Sequence, residues 1–165
     1  MNVYFKDGSF LDFRRREGHY YMYARAVHQR SGIDGEKIDF IFDTGAFLTI
    51  ISRNTAVRCG FDKLPSTIIS LSGFGGDGEP ADFIRIPSLK ILDVLVTDVP
   101  VAVPYDSEST REVLGLNVLE YFHYYIDTEN DRIYFCRNLN PKPYDDRLAC
   151  GQVFTASSNE TISIQ

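Results

Sequence analysis

The stretch Ile38-Asp39-Phe40-Ile41-Phe42-Asp43-Thr44-Gly45-Ala46 ends a strongly apolar run with a carboxylate, then a small polar residue, a glycine and an alanine. A carboxylate at the mouth of an apolar core is poorly hydrated. Desolvation raises its pKa, and a second carboxylate close by raises it further. That environment suits general acid–base chemistry. Gly45 lets a substrate backbone come close. Taken alone, Asp43-Thr44-Gly45 also reads as a turn after a strand. Two other segments must be explained beside it. One is the glycine-rich Gly73-Phe74-Gly75-Gly76, and the other is Val113-Leu114-Gly115-Leu116-Asn117-Val118-Leu119.

Other chemistries find less support. His19, His28 and His123 form no ligand cluster with Cys59, Cys136 and Cys150, so no metal and no cofactor is expected. Cys59 has no histidine or basic partner at an evident position and reads as a structural thiol. The segment Gly73-Phe74-Gly75-Gly76-Asp77-Gly78 lacks the Gly-Lys-Ser/Thr ending of a phosphate loop, and Asp77 and Glu79 would repel phosphate. The chain carries 17 Lys and Arg against 23 Asp and Glu, a net charge of −6, which argues against nucleic acid and anionic membranes as partners. Arg14-Arg15-Arg16 is the only basic cluster in the sequence and reads as solvated surface. Tyr20, Tyr21, Tyr23, Tyr124 and Tyr125 lack flanking basic residues, so they read as packing rather than as a base-stacking surface. No signal-like or membrane-length apolar run is present, which makes the cytoplasm the expected compartment.

The elements that must position Asp43 are mostly strands. Length (165 residues) and composition (44% hydrophobic, 24% charged) fit one soluble domain. Aromatic and β-branched runs alternate with frequent Gly, Pro and Asn-Asp turns. His19 to His28 reads as a strand, with Tyr20, Met22, Ala24 and Ala26 on one face. A second strand starts at Lys37, with Ile38, Phe40 and Phe42 pointing one way, and a third covers Phe47 to Ile51. Ser52 is placed as the N-cap of a short helix over Arg53 to Cys59 that stops at Gly60. Strands follow at 83–86, 89–96 and 99–103, broken by Pro87 and Pro100. A second short helix follows Gly115, and a hairpin joins 124–127 to 132–136 around Glu129-Asn130-Asp131.

Taken in order, Asp43-Thr44-Gly45-Ala46, the strand Leu48-Thr49-Ile50-Ile51-Ser52, Gly73-Phe74-Gly75-Gly76 and Val113-Leu114-Gly115-Leu116-Asn117 resemble the retropepsin-like aspartic proteases, the single-lobe relatives of pepsin. The tetrapeptide matches their active-site loop. The glycine-rich segment looks like their flap. The Val113–Asn117 stretch looks like the apolar-apolar-Gly segment beneath that loop. The resemblance spans about residues 20 to 136. It implies an all-β, retropepsin-like acid protease barrel with one or two short helices, working as a homodimer. It divides the chain into an N-terminal extension (1–18), the protease domain (19–137) and a polar C-terminal tail or arm (138–165). The sequence departs from retroviral members at two places. Phe47 stands where Asp is common, and Leu116 where Arg is common. Those two residues form an ion pair in that subgroup. Losing one alone would leave a buried charge unpaired, at about 3–5 kcal/mol, whereas losing both is an apolar exchange.

The chain has one Asp-Thr-Gly, and the family's chemistry needs two carboxylates on one water. The resemblance therefore implies a dyad of Asp43 with Asp43 of a second copy, sharing one proton. It assigns catalysis to Asp43, Thr44 and Gly45. Substrate binding falls to Ala46, Phe47, Gly73, Phe74, Gly75 and Gly76, and support of the active site to Leu114, Gly115 and Asn117. The expected substrate is a peptide or protein, cut without cofactor or metal. A second reading keeps the fold but makes it a catalytically weak dimerisation or peptide-binding module, its cleft narrowed by Phe47. A third is a β-barrel binding domain in which Asp43-Thr44-Gly45 is only a turn.

Overall fold

A computed structural model describes residues 9–27, 35–72, 78–106 and 110–142, and the backbone of 152–153 and 162–163. Strands dominate it. They are β1 (Phe10–Asp12), β2 (Arg14–Arg16), β3 (His19–Ala26), β4 (Lys37–Phe42), β5 (Thr49–Ile50), β6 (Ser66–Leu71), β7 (Glu79–Ile91), β8 (Val94–Pro104), β9 (Val113–Leu114), β10 (Phe122–Asp127), β11 (Arg132–Arg137), β12 (Gln152–Val153) and β13 (Ile162–Ser163). Two short helices, α1 (Arg53–Arg58) and α2 (Leu116–Leu119), and one 3-10 turn (Phe61–Lys63) complete the set. A large sheet runs β13-β12-β6-β7-β8-β5-β9-β4-β3-β2, with an added β7–β3 pairing, and a small sheet runs β1-β11-β10.

The inward faces of these strands build one main core. Met22, Ala24 and Ala26 of β3 and Ile38 and Phe40 of β4 are fully buried, as the alternation predicts. Ile86, Leu89 and Ile91 of β7, Leu114, Val118 and Leu119, and Ile133 of the small sheet close on them. The β2–β3 link is a two-residue turn. Glu17 and Gly18 both have positive φ, at 51° and 79°, and Arg16 pairs with His19 across it. That is the backbone a tight hairpin requires. Helix α1 forms where expected. Ser52 Oγ accepts from Thr55 N, and Gly60, at φ 70°, follows the last turn.

Three expectations change. The strand expected over Phe47 to Ile51 is two residues long, because Phe47 and Leu48 bend to meet the segment after β9. The strand from His19 ends at Ala26 among the described residues, and His28 lies outside them. The segments 83–86, 89–96 and 99–103 are two long strands, β7 and β8, joined at Leu92-Asp93. Pro87 is tolerated because the ladder skips it: Ile86 pairs with Val99 and Ser88 with Thr97, and Asp98, opposite the proline, turns aside at φ 53°. Pro100 stands just outside the β5–β8 pairing, which uses Val101 and Ala102. Phe10–Asp12 and Arg14–Arg16, inside the segment set apart as an N-terminal extension, pair with β11 and β3.

Candidate active site

Asp43 is the first residue after β4. Strand β4 lies parallel to β9, with Ile41 opposite Val113 and Phe42 opposite Leu114. The pairing carries one step past the strand: Asp43 N donates to Leu114 O at 3.2 Å. The turn that follows closes on its own carboxylate, since Gly45 N donates to Asp43 Oδ1 at 2.8 Å. Ala46 O then accepts from Leu116 N at 2.8 Å, and Phe47 O from Asn117 N at 3.1 Å. The loop is thus fastened at both ends to residues 114–117. Gly115 is required there by space alone. A Cβ on it would lie 2.6 Å from Leu48 C and 2.7 Å from Leu48 O.

Beneath the loop, Asn117 is buried and uses both ends of its amide. Its Oδ1 accepts from Thr49 N and Thr49 Oγ1, each at 2.8 Å, and its Nδ2 donates to Pro100 O at 2.7 Å. Thr49 Oγ1 in turn accepts from Gly115 N at 3.2 Å. One side chain at the start of α2 therefore ties β5 to β8. Glu112 ties the same region to α1, accepting from Ser52 Oγ at 2.7 Å and Thr55 Oγ1 at 2.6 Å on one carboxylate oxygen. Its backbone carbonyl accepts from Ile41 N. Behind Asp43, the Phe42 ring meets Tyr124 edge-on at 5.1 Å and Phe135 at 6.4 Å, joining the two sheets.

Asp43 opens onto a cleft of about 560 Å³. Gly45, Ala46, Phe47, Leu48 and Ile50 line one side, and Ile41 and Val113 continue it. Leu71, Ser72 and Glu79, at the open ends of β6 and β7, form another wall. His19, Pro104, Thr110 and Arg111 complete the lining. The walls are mainly apolar and the titratable groups few, as in a ligand site. Phe47 is 64% exposed beside Asp43.

Of the residues singled out in the sequence, Asp43, Gly45, Ala46 and Phe47 meet in this cleft, and Thr44 is exposed at the turn. Leu114, Gly115 and Asn117 lie beneath it. Gly73, Phe74, Gly75 and Gly76 fall outside the described residues. Sequence reasoning missed Thr49 and Glu112, and it read His19 as an ordinary strand or surface residue; His19 does begin β3, and it also lines the cleft. Only the Ser52-x-x-Thr55 cap signalled that α1 had hydroxyls to offer Glu112. Cys59 is buried, and burial pushes its thiol up to about 11, which fits the structural role expected of it. Among the described residues no group of three or more His, Cys, Asp or Glu could hold a metal ion, and no helix is long and apolar enough to cross a membrane.

Residues 31–118, more than half the chain, match the aspartyl protease family. A retropepsin-like aspartic protease from Rickettsia conorii resembles this chain with a TM-score of 0.54 and 25% identity, over 76% of this chain and 87% of that one. The retroviral protease-like domain of Ddi1 from Leishmania major is similar at 16% identity and a TM-score of 0.44, over 74% of this chain and 97% of that one. No curated protein matches.

Proposed function

The chain belongs to the aspartyl protease family, and from that premise we propose that it is an endopeptidase whose Asp43 pairs with Asp43 of a second copy. The observation that supports this reading is that Asp43 lines a cleft of about 560 Å³, with its loop fastened to residues 114–117. One chain supplies one such carboxylate, so the site is completed by a homodimer on a two-fold axis. Thr44, exposed at the turn, braces the two loops against each other. The paired carboxylates share one proton. The ionised one takes a proton from a water, which attacks the scissile carbonyl carbon. The protonated one polarises the carbonyl oxygen, and a proton is then delivered to the leaving amine. Gly45 and Ala46 receive the extended peptide backbone, and Phe47 contacts its side chains. The protein works in the cytoplasm and needs no cofactor.

The test is hydrolysis of casein by the purified protein between about pH 3 and 8, beside Asp43→Asn, with the oligomeric state measured on the same samples. A dimer that cleaves with an acid-shifted optimum, and an inert Asp43→Asn protein, is the expected result. Equal rates for the two proteins would refute the assignment. Peptide binding by both proteins with cleavage by neither would establish the binding-module reading instead.

A further inference from the structure

The sheet face that carries Asp43 continues away from the cleft as a band of cations. Register places the residues of this face in rows. Arg16 pairs with His19; Arg14 with Tyr21, Tyr21 with Ile41, and Ile41 with Val113. The next rows hold Tyr23 with Asp39 and Arg25 with Lys37. Arg111, just ahead of β9, lines the cleft and reaches the β2–β3 turn, where it meets Glu17 at 2.7 Å. Described residues of the face thus include Arg14, Arg16, Arg25, Lys37 and Arg111, against Glu17, Asp39 and Asp43 itself. Asp39 takes Arg14, and Glu17 meets both Arg16 and Arg111, so five cations stand against three carboxylates, an excess of positive charge on a chain whose net charge is −6.

The cations are organised. Arg14 pairs with Asp39 and lies 4.7 Å from the Tyr23 ring centroid. Lys37 Nζ lies 3.4 Å from the same centroid, and Arg16 sits 5.7 Å from that of Tyr21. The expectation that no basic residues flank these tyrosines fails in space. Protection of a sheet edge explains charges on β2, the outermost strand. It does not explain Arg25, Lys37 or Arg111, which lie inside the sheet or on the cleft wall. The rings are already covered by cations, which leaves them poorly placed to stack nucleic-acid bases. What the face offers is charge, arranged along β3 for about 20 Å from His19 to Arg25.

We propose that this face docks an acidic segment of the protein substrate and guides the adjoining chain past Arg111 into the cleft. The proposal rests on reading the cleft as the peptide-binding site. An extended flank of about six residues would span the band. Its carboxylates would meet Lys37 and Arg25 farthest from the cleft and Arg111 nearest it. Such contacts raise the local concentration of substrate and are weakened by salt.

The test uses the full chain carrying Asp43→Asn, so that nothing is cleaved, and fluorescence anisotropy of three probes. These are a labelled Asp/Glu-rich dodecapeptide, its Asn/Gln counterpart, and oligo-dT of similar length. At about 50 mM salt the acidic peptide should bind about ten-fold more tightly than its neutral counterpart, and most of that advantage should vanish near 0.5 M. Arg25→Glu with Lys37→Glu should abolish it, and Arg25→Gln with Lys37→Gln should reduce it while leaving the circular dichroism spectrum unchanged. Equal binding of the two peptides, an advantage untouched by either double variant, or tighter binding of oligo-dT would overturn the proposal. Casein hydrolysis by the chain with Asp43 intact reports separately on the protease reading. Its absence would refute that reading while leaving the anisotropy result to stand or fall alone.

Discussion

Replacing Asn117 by Ala should cost more than any surface substitution near the site. The side chain is 3% exposed and holds three hydrogen bonds. Truncation orphans two buried backbone groups, Thr49 N–H and Pro100 C=O. An unsatisfied buried group costs about 1–3 kcal/mol, so the pair costs about 4 kcal/mol. A domain of this size has a total stability of about 5–15 kcal/mol, and its Tm falls by about 2–4 °C for each kcal/mol. A drop of about 8–16 °C follows. The assay is thermal and urea unfolding followed by tyrosine fluorescence and circular dichroism, with protein concentration held fixed because dimerisation shifts apparent stability. Thr49→Val tests the mechanism. It removes the hydroxyl but keeps the backbone N–H, and its effect should be non-additive with Asn117→Ala by more than about 0.5 kcal/mol. If Asn117→Ala lowers stability by less than about 1 kcal/mol, the reasoning that this amide clamps three segments is wrong.

Gly115→Ala should destabilise by about 2–3 kcal/mol, since the new methyl meets the Leu48 backbone. Gly18→Ala, with open space but φ of 79°, should cost only about 1 kcal/mol; equal unfolding midpoints for the two would contradict the steric account. Hydrogen bonds from Arg85 hold the Asp98 carboxyl below its usual range, and those from Asn130 do the same for Asp127. A lowered folded pKa gives stability that is present above the unfolded value and lost as pH falls through the folded one. The stability gap between wild type and Asp98→Asn should therefore hold from pH 7 to about pH 5 and close only below about pH 4; a gap that closes near neutrality would refute the assignment. Cys59, buried and with its thiol raised to about 11, should be alkylated in the native protein far more slowly than the half-buried Cys136. Site-resolved mass spectrometry checks this, and comparable labelling of the two would contradict it.

What was legible in the sequence was local. The period-two burial of β3 and β4, the Ser52 cap and the β10–β11 hairpin all follow from neighbours in the chain. The order of Asp43-Thr44-Gly45-Ala46 and Val113–Asn117 pointed to the site because both its halves are short and contiguous. Long-range partners were not legible. Pro87 and Pro100 look like strand breakers until the ladder is seen to skip one and to end its β5 pairing beside the other. Nothing near Thr49 announces Asn117, which lies 68 residues away. The cationic face has the same origin. Arg14, Tyr21 and Ile41 are ordinary residues on separate strands, and only antiparallel register sets them side by side.

The two departures from the retroviral pattern have a consistent physical account. Within this chain, fastening of the Asp43 loop uses the backbones of positions 47 and 116, not their side chains: Phe47 O accepts from Asn117 N, and Leu116 N donates to Ala46 O. The side chains are therefore free to change without loosening the loop. Leu116 is half-buried against the fold, while Phe47 projects into the cleft. An exposed phenylalanine at the rim of the Asp43 cleft has no role in holding one chain together. It gains one when apolar surface is removed from water by a bound peptide or by a second copy of the chain, at about 25 cal/mol for each Å² covered. A carboxylate there would hold a substrate backbone by charge; a ring holds side chains by contact. On the reading proposed above, the cleft sorts peptides by apolar fit near Asp43 and leaves charge recognition to Arg111 and the sheet face beyond it.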